Sequence, residues 1–177
     1  MVWVDAIKDE ARCENQIILA GERARSRISS AFVAAGDESY EVSITITHLN
    51  DNTSSNMLTR SALKDRSAGV YRGTIMIAPN AKGCDAYQRE DTLLIGDNPK
   101  MDAKPILEIN NNEVKCSHGV AIGRVDEEKL FYMTSRGIRE EDAEMMIVEG
   151  FFDPMIIGMG ENGKELKRII QEKLLSK

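Results

Sequence analysis

The sequence predicts a mainly β body followed by a small helical region. Between about Asn15 and Gly123, short runs of alternating β-branched and polar residues are separated by turns rich in Asn, Asp, Gly and Pro. After Gly123 the apolar residues recur at helical spacing. We therefore predict a β core over residues 1–124 and a helical region over 125–177. The turn spacing fits an antiparallel sandwich or barrel and also a parallel β-helix, and spacing alone leaves both open.

Five runs in the β body have the character of strands. The clearest, Tyr40–His48, places Val42, Ile44 and Ile46 on one face and hydroxyl side chains on the other. β-branched residues fit a pleated, half-buried surface, so a run of this kind is predicted to form a strand. The other runs are Gly69–Ala78, Asp91–Ile95, Pro105–Ile109 and Val114–Ile122.

Three segments of the second region are predicted to be helical. The first, Asp126–Arg136, opens with acidic residues and is followed by Gly137, which favours a helix end. The second, Arg139–Phe152, is predicted to end where Asp153–Met155 introduces a proline. The apolar stripes of the second and third segments, predicted to be packed, are Ala143, Met146, Ile147 and Gly150, and Leu166, Ile169, Ile170 and Leu174.

Composition excludes several classes of protein. The 177 residues carry a formal net charge of −6 and a pI near 5.1, which argues against a general nucleic-acid binder. No apolar run approaches the roughly 18 residues of a membrane span, and the charged N-terminus lacks a signal core. A cytoplasmic location is therefore expected. The three cysteines lack CxxC spacing and are expected to be reduced, partly buried thiols.

The most informative short motif is VKCSHG, which contains Cys116 and His118. On a strand these two side chains project from the same face because successive residues alternate. Thiolate and imidazole suit soft or borderline metals such as iron and zinc. Two ligands do not complete a site, so a packed thiol beside a hydrogen-bonded imidazole is the alternative interpretation.

Carboxylates are plentiful in the β body, including Asp85, Glu90 and Asp91. Enzymes that cleave polysaccharides use paired carboxylates. No pair stands out in this sequence, and aromatic residues that could stack on sugars make up only 5% of the chain. A β-helix enzyme acting on carbohydrate through Asp85 and Asp91 is nevertheless kept as a rival hypothesis.

Four segments of the chain form an ordered series. They are THLNDNTSSN at 47–56, the run Gly69–Ile109 with its LLIGD turn, the run Val114–Ile138 containing CSHG and LFYMTSRGI, and AEMMIVEGF at 143–151. In this order and spacing they resemble the SufB/SufD family of iron–sulfur cluster assembly proteins. The resemblance extends from about Ile17 to Phe152.

This resemblance implies a right-handed parallel β-helix followed by a small C-terminal helical region. It also implies a scaffold subunit and not an enzyme, which pairs through its β-helix with a SufB-type subunit or with itself. The helices from Asp126 onward would bind a SufC-type ABC ATPase. No tightly bound cofactor is implied, only transient iron or an iron–sulfur cluster at the subunit interface. Partners would include neither nucleic acid nor membrane.

Individual residues place the chain nearer the SufD branch. His118 falls on the SufD-type histidine of CSHG, implicated in cluster assembly, and Cys116 is a weaker candidate. Glu90 stands where the SufB branch has a cysteine, and Gly119 stands where that branch has a glutamate. Glu90 is retained as an oxygen ligand for iron. A SufD-like binding module without cluster chemistry is a further alternative.

Overall fold

The computed structural model describes residues 2–6 and 9–175, which form strands in the first part and helices in the second. The helices are α1 (Glu127–Ser135), α2 (Glu140–Gly158) and α3 (Glu161–Leu175). The strands are β1 (Val2–Ala6), β2 (Glu10–Leu19), β3 (Arg25–Ala34), β4 (Ser39–His48), β5 (Ser54–Lys64), β6 (Ala68–Ile77), β7 (Asp85–Ile95), β8 (Lys100–Ile109) and β9 (Lys115–Arg124).

The strands stack into two parallel sheets that face each other. The five-stranded sheet has the order β1-β3-β5-β7-β9, and the four-stranded sheet has the order β2-β4-β6-β8. Ser39 lies opposite Ala68, 29 residues later, and Ala68 lies opposite Lys100, 32 residues later. The chain is therefore a parallel β-helix with one coil about every 30 residues. This confirms the fold class and excludes the antiparallel alternative.

The interior between the sheets is filled by alternate residues of each strand. In β4, Val42, Ile44 and Ile46 are buried, whereas the intervening residues are partly exposed. Parallel register aligns these residues in columns along the helix axis, as in the column of Ile46, Ile75 and Leu107. Burial of such columns is the main favourable contribution to folding.

The outer face of the five-stranded sheet carries α2 and α3, which together we call the helical cap. A second apolar core joins the cap to the sheet. Two cations of β5 reinforce it: the Arg60 guanidinium donates to the carbonyl oxygen of Phe151, and Lys64 Nζ donates to that of Leu174 at 2.7 Å. The buried members of this core are Ala31, Val33, Ala62, Leu93, Ile95, Val148, Phe152, Met155, Met159, Leu166, Ile170 and Leu174.

Two expectations for α2 were wrong. The helix continues through Pro154 to Gly158 and does not end at Asp153. Burial of Phe152 and Met155 on either side of Pro154 holds these residues in the helix, because their contacts with the cap core outweigh the missing backbone hydrogen bond. Met146, expected to be packed, is exposed, since the second half of α2 provides most of its contact with the sheet. The predicted stripe of α3 is confirmed: Leu166, Ile169, Ile170 and Leu174 are buried.

The packing of α2 predicts a large difference between two of its apolar residues. Phe152 is fully buried in the cap core, whereas Ile157 is 83% exposed on the same helix. Phe152→Ala is expected to lower the free energy of unfolding by about 3–5 kcal/mol because it leaves a cavity. Ile157→Ala is expected to change it by less than about 0.5 kcal/mol. Urea denaturation followed by circular dichroism measures both values, and equal small effects would contradict the docking of α2.

Candidate functional site

The last coil leaves one end of the β-helix uncovered, and we call this the open end. Its strands, β8 and β9, are the final strands of their sheets, so one backbone edge of each lacks a neighbour in the described chain. Each edge is ten residues long. Val120 and Ile122 belong to the inner face of β9 yet are exposed, because no further coil covers them. A long, partly apolar edge of this kind is a template for pairing with another chain.

Cys116 and His118 lie at the open end, on the inner face of β9, as predicted from their spacing. In the parallel register Cys116 is opposite Ala86, and His118 is opposite Gln88. The imidazole of His118 is exposed and makes no hydrogen bond within the described part of the chain. Burial raises the pKa of the Cys116 thiol, with a smaller contribution from the nearby Cys84 thiol. Cys116 is therefore protonated at neutral pH, whereas His118 is free to bind a ligand.

The other histidine, His48, is structural. It is completely buried, its Nδ1 lies 2.8 Å from Thr53 Oγ1, and its Nε2 lies 2.9 Å from Ser55 Oγ. The same Thr53 hydroxyl lies 3.2 Å from the buried Cys84 thiol. Both ring nitrogens are thus satisfied inside the protein, and burial lowers the pKa of His48. This arrangement fits the interpretation of His48 and Cys84 as packed core residues.

A group of polar side chains occupies the interior beneath the open end. We call it the interior polar cluster. Thr59 faces Glu90 and Ser61 faces Thr92 across the β5–β7 pairing. Gln88 Nε2 donates to the Gly73 carbonyl oxygen of the opposite sheet at 3.1 Å. The cluster consists of Thr59, Ser61, Tyr71, Gln88, Glu90 and Thr92.

Close packing at Gly73 brings two members of the cluster together. A Cβ atom on Gly73 would lie 2.5 Å from the Tyr71 hydroxyl and 2.9 Å from Gln88 Oε1. Only glycine leaves room for both groups at this position. The Thr59 hydroxyl lies 3.4 Å from the same Tyr71 hydroxyl, and burial raises the pKa of Tyr71 to about 12. The tyrosine is therefore a neutral hydrogen-bonding group.

Three oxygen atoms of this cluster lack a partner. Of the buried side-chain nitrogen and oxygen atoms in the described residues, four make no hydrogen bond, and three of these are Ser61 Oγ, Gln88 Oε1 and Glu90 Oε2. The fourth is Arg60 Nε, beneath the helical cap. Leaving a buried polar group unsatisfied costs about 1–3 kcal/mol, so such a concentration is unusual in a folded interior.

Glu90 is the ionisable group at the centre of this cluster. Its side chain is 1% exposed, and its Oε1 accepts a hydrogen bond of 2.5 Å from the Thr92 hydroxyl. Burial raises its pKa to about 7, against the opposing effect of that hydrogen bond. Burial disfavours the charged form of a carboxylate, so near neutral pH Glu90 is balanced between its two protonation states.

The register connects this interior to the open end. Gln88 lies directly beneath His118, and Glu90 lies beneath Val120. Neighbouring strands are ~4.8 Å apart, so His118 is one strand spacing from Gln88. The structure thus brings His118 and Cys116 together on β9 and places Glu90 one coil deeper. In the described residues no group of three or more His, Cys, Asp and Glu side chains could hold a metal ion.

The carboxylates suggested for carbohydrate chemistry do not form a pair. Asp85 and Asp91 share the outer face of β7 but are six residues apart, which corresponds to ~20 Å along a strand. Paired catalytic carboxylates are roughly 5–9.5 Å apart. Asp91 is moreover 8% exposed and accepts two hydrogen bonds of 2.9 Å from Arg89. This geometry does not support the carbohydrate hypothesis.

Helix α1 presents a second surface with functional character. None of its residues is buried, and its aromatic side chains Phe131 and Tyr132 are 74% and 59% exposed. A cavity of about 530 Å³ beside Tyr132 is lined by Met133 and Ile147, with Asp126, Glu128 and Lys129 at its rim. Exposed apolar groups with a polar rim are typical of protein–protein contact sites. No described helix is long and apolar enough to cross a membrane.

The fold and this site define a parallel β-helix protein with an exposed strand edge and an uncovered helical surface. The family described as "SUF system FeS cluster assembly, SufBD core domain" matches residues 3–151. The chain belongs to this SufBD family, which confirms the resemblance.

Curated relatives of both branches are similar to this chain. It is 33% identical to the iron–sulfur cluster assembly protein SufD of Escherichia coli (strain K12) over 82% of its length and 34% of that protein. It is 34% identical to SufB of Bacillus subtilis (strain 168) over 87% of its length and 33% of that protein. A SufBD family protein of Staphylococcus aureus (strain USA300) is 32% identical over 97% of the chain and 37% of that protein. The chain thus spans about a third of the length of these relatives.

The raised pKa of Glu90 predicts a specific pH dependence of stability. The unfolded pKa is near 4.5 and the folded pKa is about 7, so the folded state binds the proton more tightly. The stabilisation from this proton is complete below pH 4.5 and is lost as the pH rises to 7, at most roughly 3 kcal/mol. Glu90→Gln is expected to remove this loss, and urea denaturation in metal-free buffer measures it.

The matched control is Glu108→Gln, which removes an exposed carboxylate from β8. It is expected to keep the wild-type dependence of stability on pH. If the wild type and Glu90→Gln were to differ by a constant amount from pH 4.5 to 8, Glu90 would not titrate in this range.

Proposed function

We propose that this chain is a SufD-like scaffold subunit of a SUF-type iron–sulfur cluster assembly complex. The observation that carries the proposal is the open end, where an unpaired strand edge, an unbonded imidazole at His118 and half-exposed apolar side chains coincide. Family membership supplies the process, because the relatives are named as cluster assembly proteins. Glu90 and Gly119 stand where the SufB branch carries other residues, which supports the SufD-like assignment.

The open end is the surface through which the chain pairs with a SufB-type subunit or with a second copy. The free backbone groups of β8 and β9 offer hydrogen bonds over ten residues of each strand. Val120 and Ile122 add apolar surface that a partner would bury. Because these residues flank His118 on β9, pairing would enclose the imidazole at the subunit interface.

Iron or a nascent cluster is cargo in this proposal and not a resident cofactor. His118 supplies an imidazole nitrogen, a ligand suited to iron, and needs no rearrangement to present it. Cys116 is a weaker candidate because its thiol is partly buried and its pKa is raised. Neither residue has enough neighbours in the described chain to complete a site, so the partner would contribute the remaining ligands.

The uncovered surface of α1 and α2 would bind a SufC-type ABC ATPase. Phe131, Tyr132 and Met146 are exposed apolar side chains on these two helices, beside the cavity at Tyr132. Helix α3 contributes less, because its apolar stripe is buried in the cap core. Aromatic residues in such patches commonly dominate binding. The chain itself would catalyse no covalent step.

Replacement of His118 tests the cargo role. His118→Ala is expected to lower cluster assembly at least about tenfold in cells that depend on this chain, because it removes a ligand to the cargo. Ser117→Ala is the matched control, since Ser117 is exposed on the outer face of the same strand. Assembly is measured from the activity of a cluster-dependent enzyme, and complex formation is measured by pull-down.

An intact complex with unchanged assembly in His118→Ala would demote this histidine to a structural residue. Retained partner binding with no dependence on iron would favour the alternative of a binding module without cluster chemistry.

Replacement of the exposed aromatic residues tests the ATPase surface. The double variant Phe131→Ala/Tyr132→Ala is expected to weaken binding to a SufC-type ATPase at least about tenfold in an anaerobic co-expression pull-down. Ile18→Ala is the control, because Ile18 is also exposed and apolar but lies on β2. Equal binding by all three chains would place the contact elsewhere. Deletion of α3 is a poor test, since it removes Leu166, Ile170 and Leu174 from the core.

A further inference from the structure

The interior polar cluster has an unmet requirement for a ligand. Ser61 Oγ, Gln88 Oε1 and Glu90 Oε2 are buried without partners, and their side chains are 0%, 1% and 1% exposed. All three residues project from β5 and β7 toward the same interior. Buried polar groups in folded proteins are normally satisfied by protein, ordered water or an ion. A species that occupies this interior would satisfy all three.

The chemistry of the three atoms indicates which species fits. Gln88 Nε2 is held by the Gly73 carbonyl oxygen, so the amide oxygen is the free end of that side chain. The deprotonated Glu90 carboxylate is likewise an acceptor, and Thr92 satisfies only its other oxygen. An anion would be repelled by these oxygens. A hard or borderline divalent cation is attracted by one negative charge and two neutral oxygen ligands.

The cluster lies one coil from solvent. His118 covers Gln88, and Val120 covers Glu90, in the layer that forms the open end. Both covering side chains are exposed, and β9 has no further strand beyond it in the described chain. An ion that reaches His118 therefore needs to pass only this layer to meet the Gln88 and Glu90 oxygens.

We propose that the interior polar cluster is a binding site for one divalent cation of the ferrous or manganous type, with Glu90, Gln88 and Ser61 as its oxygen ligands. The site lies inside the β-helix, is separate from the imidazole of His118, and needs no partner subunit. Ferrous iron as the physiological ion rests on the proposed function, whereas the site itself rests on the three unpaired oxygens.

Electron paramagnetic resonance of Mn²⁺ tests the site on the full chain after removal of metals with chelator. The wild type is expected to bind one Mn²⁺ per chain, and anaerobic Fe²⁺ is expected to displace it. Glu90→Gln and Gln88→Leu are each expected to weaken Mn²⁺ binding at least about tenfold. Glu108→Gln, which removes an exposed carboxylate of β8, is expected to leave the affinity unchanged.

A gain of affinity guards against variants that simply fail to fold. Gln88→Glu adds a second carboxylate and is expected to tighten Mn²⁺ binding about tenfold, which an unfolded chain would not do. No stoichiometric Mn²⁺ on the wild type, or equal weakening by Glu108→Gln, would overturn the proposal and leave water as the occupant. His118→Ala separates the two proposals, since it is expected to abolish cluster assembly while the chain still binds Mn²⁺.

Discussion

The parallel register between successive coils is the constraint on which the rest of the structure depends. Each residue lies beside residues about 30 positions earlier and later, so the interior is built from columns and not from isolated contacts. Ile46, Ile75 and Leu107 form an apolar column, whereas Thr59 and Glu90 form a polar one. The register also makes the last coil different from the others, because its edge has no partner in the described chain. Pairing with another chain is therefore a consequence of the architecture and not an added feature.

Strand β5 shows how one element serves both the interior and the helical cap. Side chains alternate along a strand, so Ser61 faces the polar cluster while Arg60 and Lys64 face α2 and α3. The Arg60 guanidinium also lies 5.1 Å over the Phe151 ring. The two cations fix backbone carbonyls of the helices, and the apolar core beneath them supplies most of the contact. The cap is consequently part of the folded core, while α1 remains free to meet a partner.

The sequence was sufficient for the division into strands and helices but not for the choice between β folds. Periodicity identified β4 and the stripe of α3. The coil repeat was invisible because register partners share a face and not an identity: Ile44 pairs with Gly73, and Gly73 pairs with Pro105. Only the family resemblance predicted the β-helix. The continuation of α2 through Pro154 was missed because a local rule for proline was overridden by burial of Phe152 and Met155.

The candidate site was predicted only in part for a related reason. The shared face of Cys116 and His118 followed from alternation on one strand. Gln88, Glu90 and Thr92 could not be recognised as interior residues, because Arg89 and Asp91 between them are also polar and no face reads as apolar. Only the Thr59–Glu90 and Ser61–Thr92 pairings reveal which set lies inside.

The chemical character of these residues suggests a division of labour with a partner. Glu90 places a hard oxygen ligand where the SufB branch has a cysteine, and the thiol of Cys116 is held protonated. The unpaired groups nearest the open end are thus an imidazole nitrogen and three oxygens, which favour ferrous iron over sulfur. A chain with these ligands is suited to bring iron to an interface at which another subunit provides sulfur. Because the backbone edge and the unpaired ligands lie on the same final coil, subunit pairing and cargo binding would be coupled through one surface.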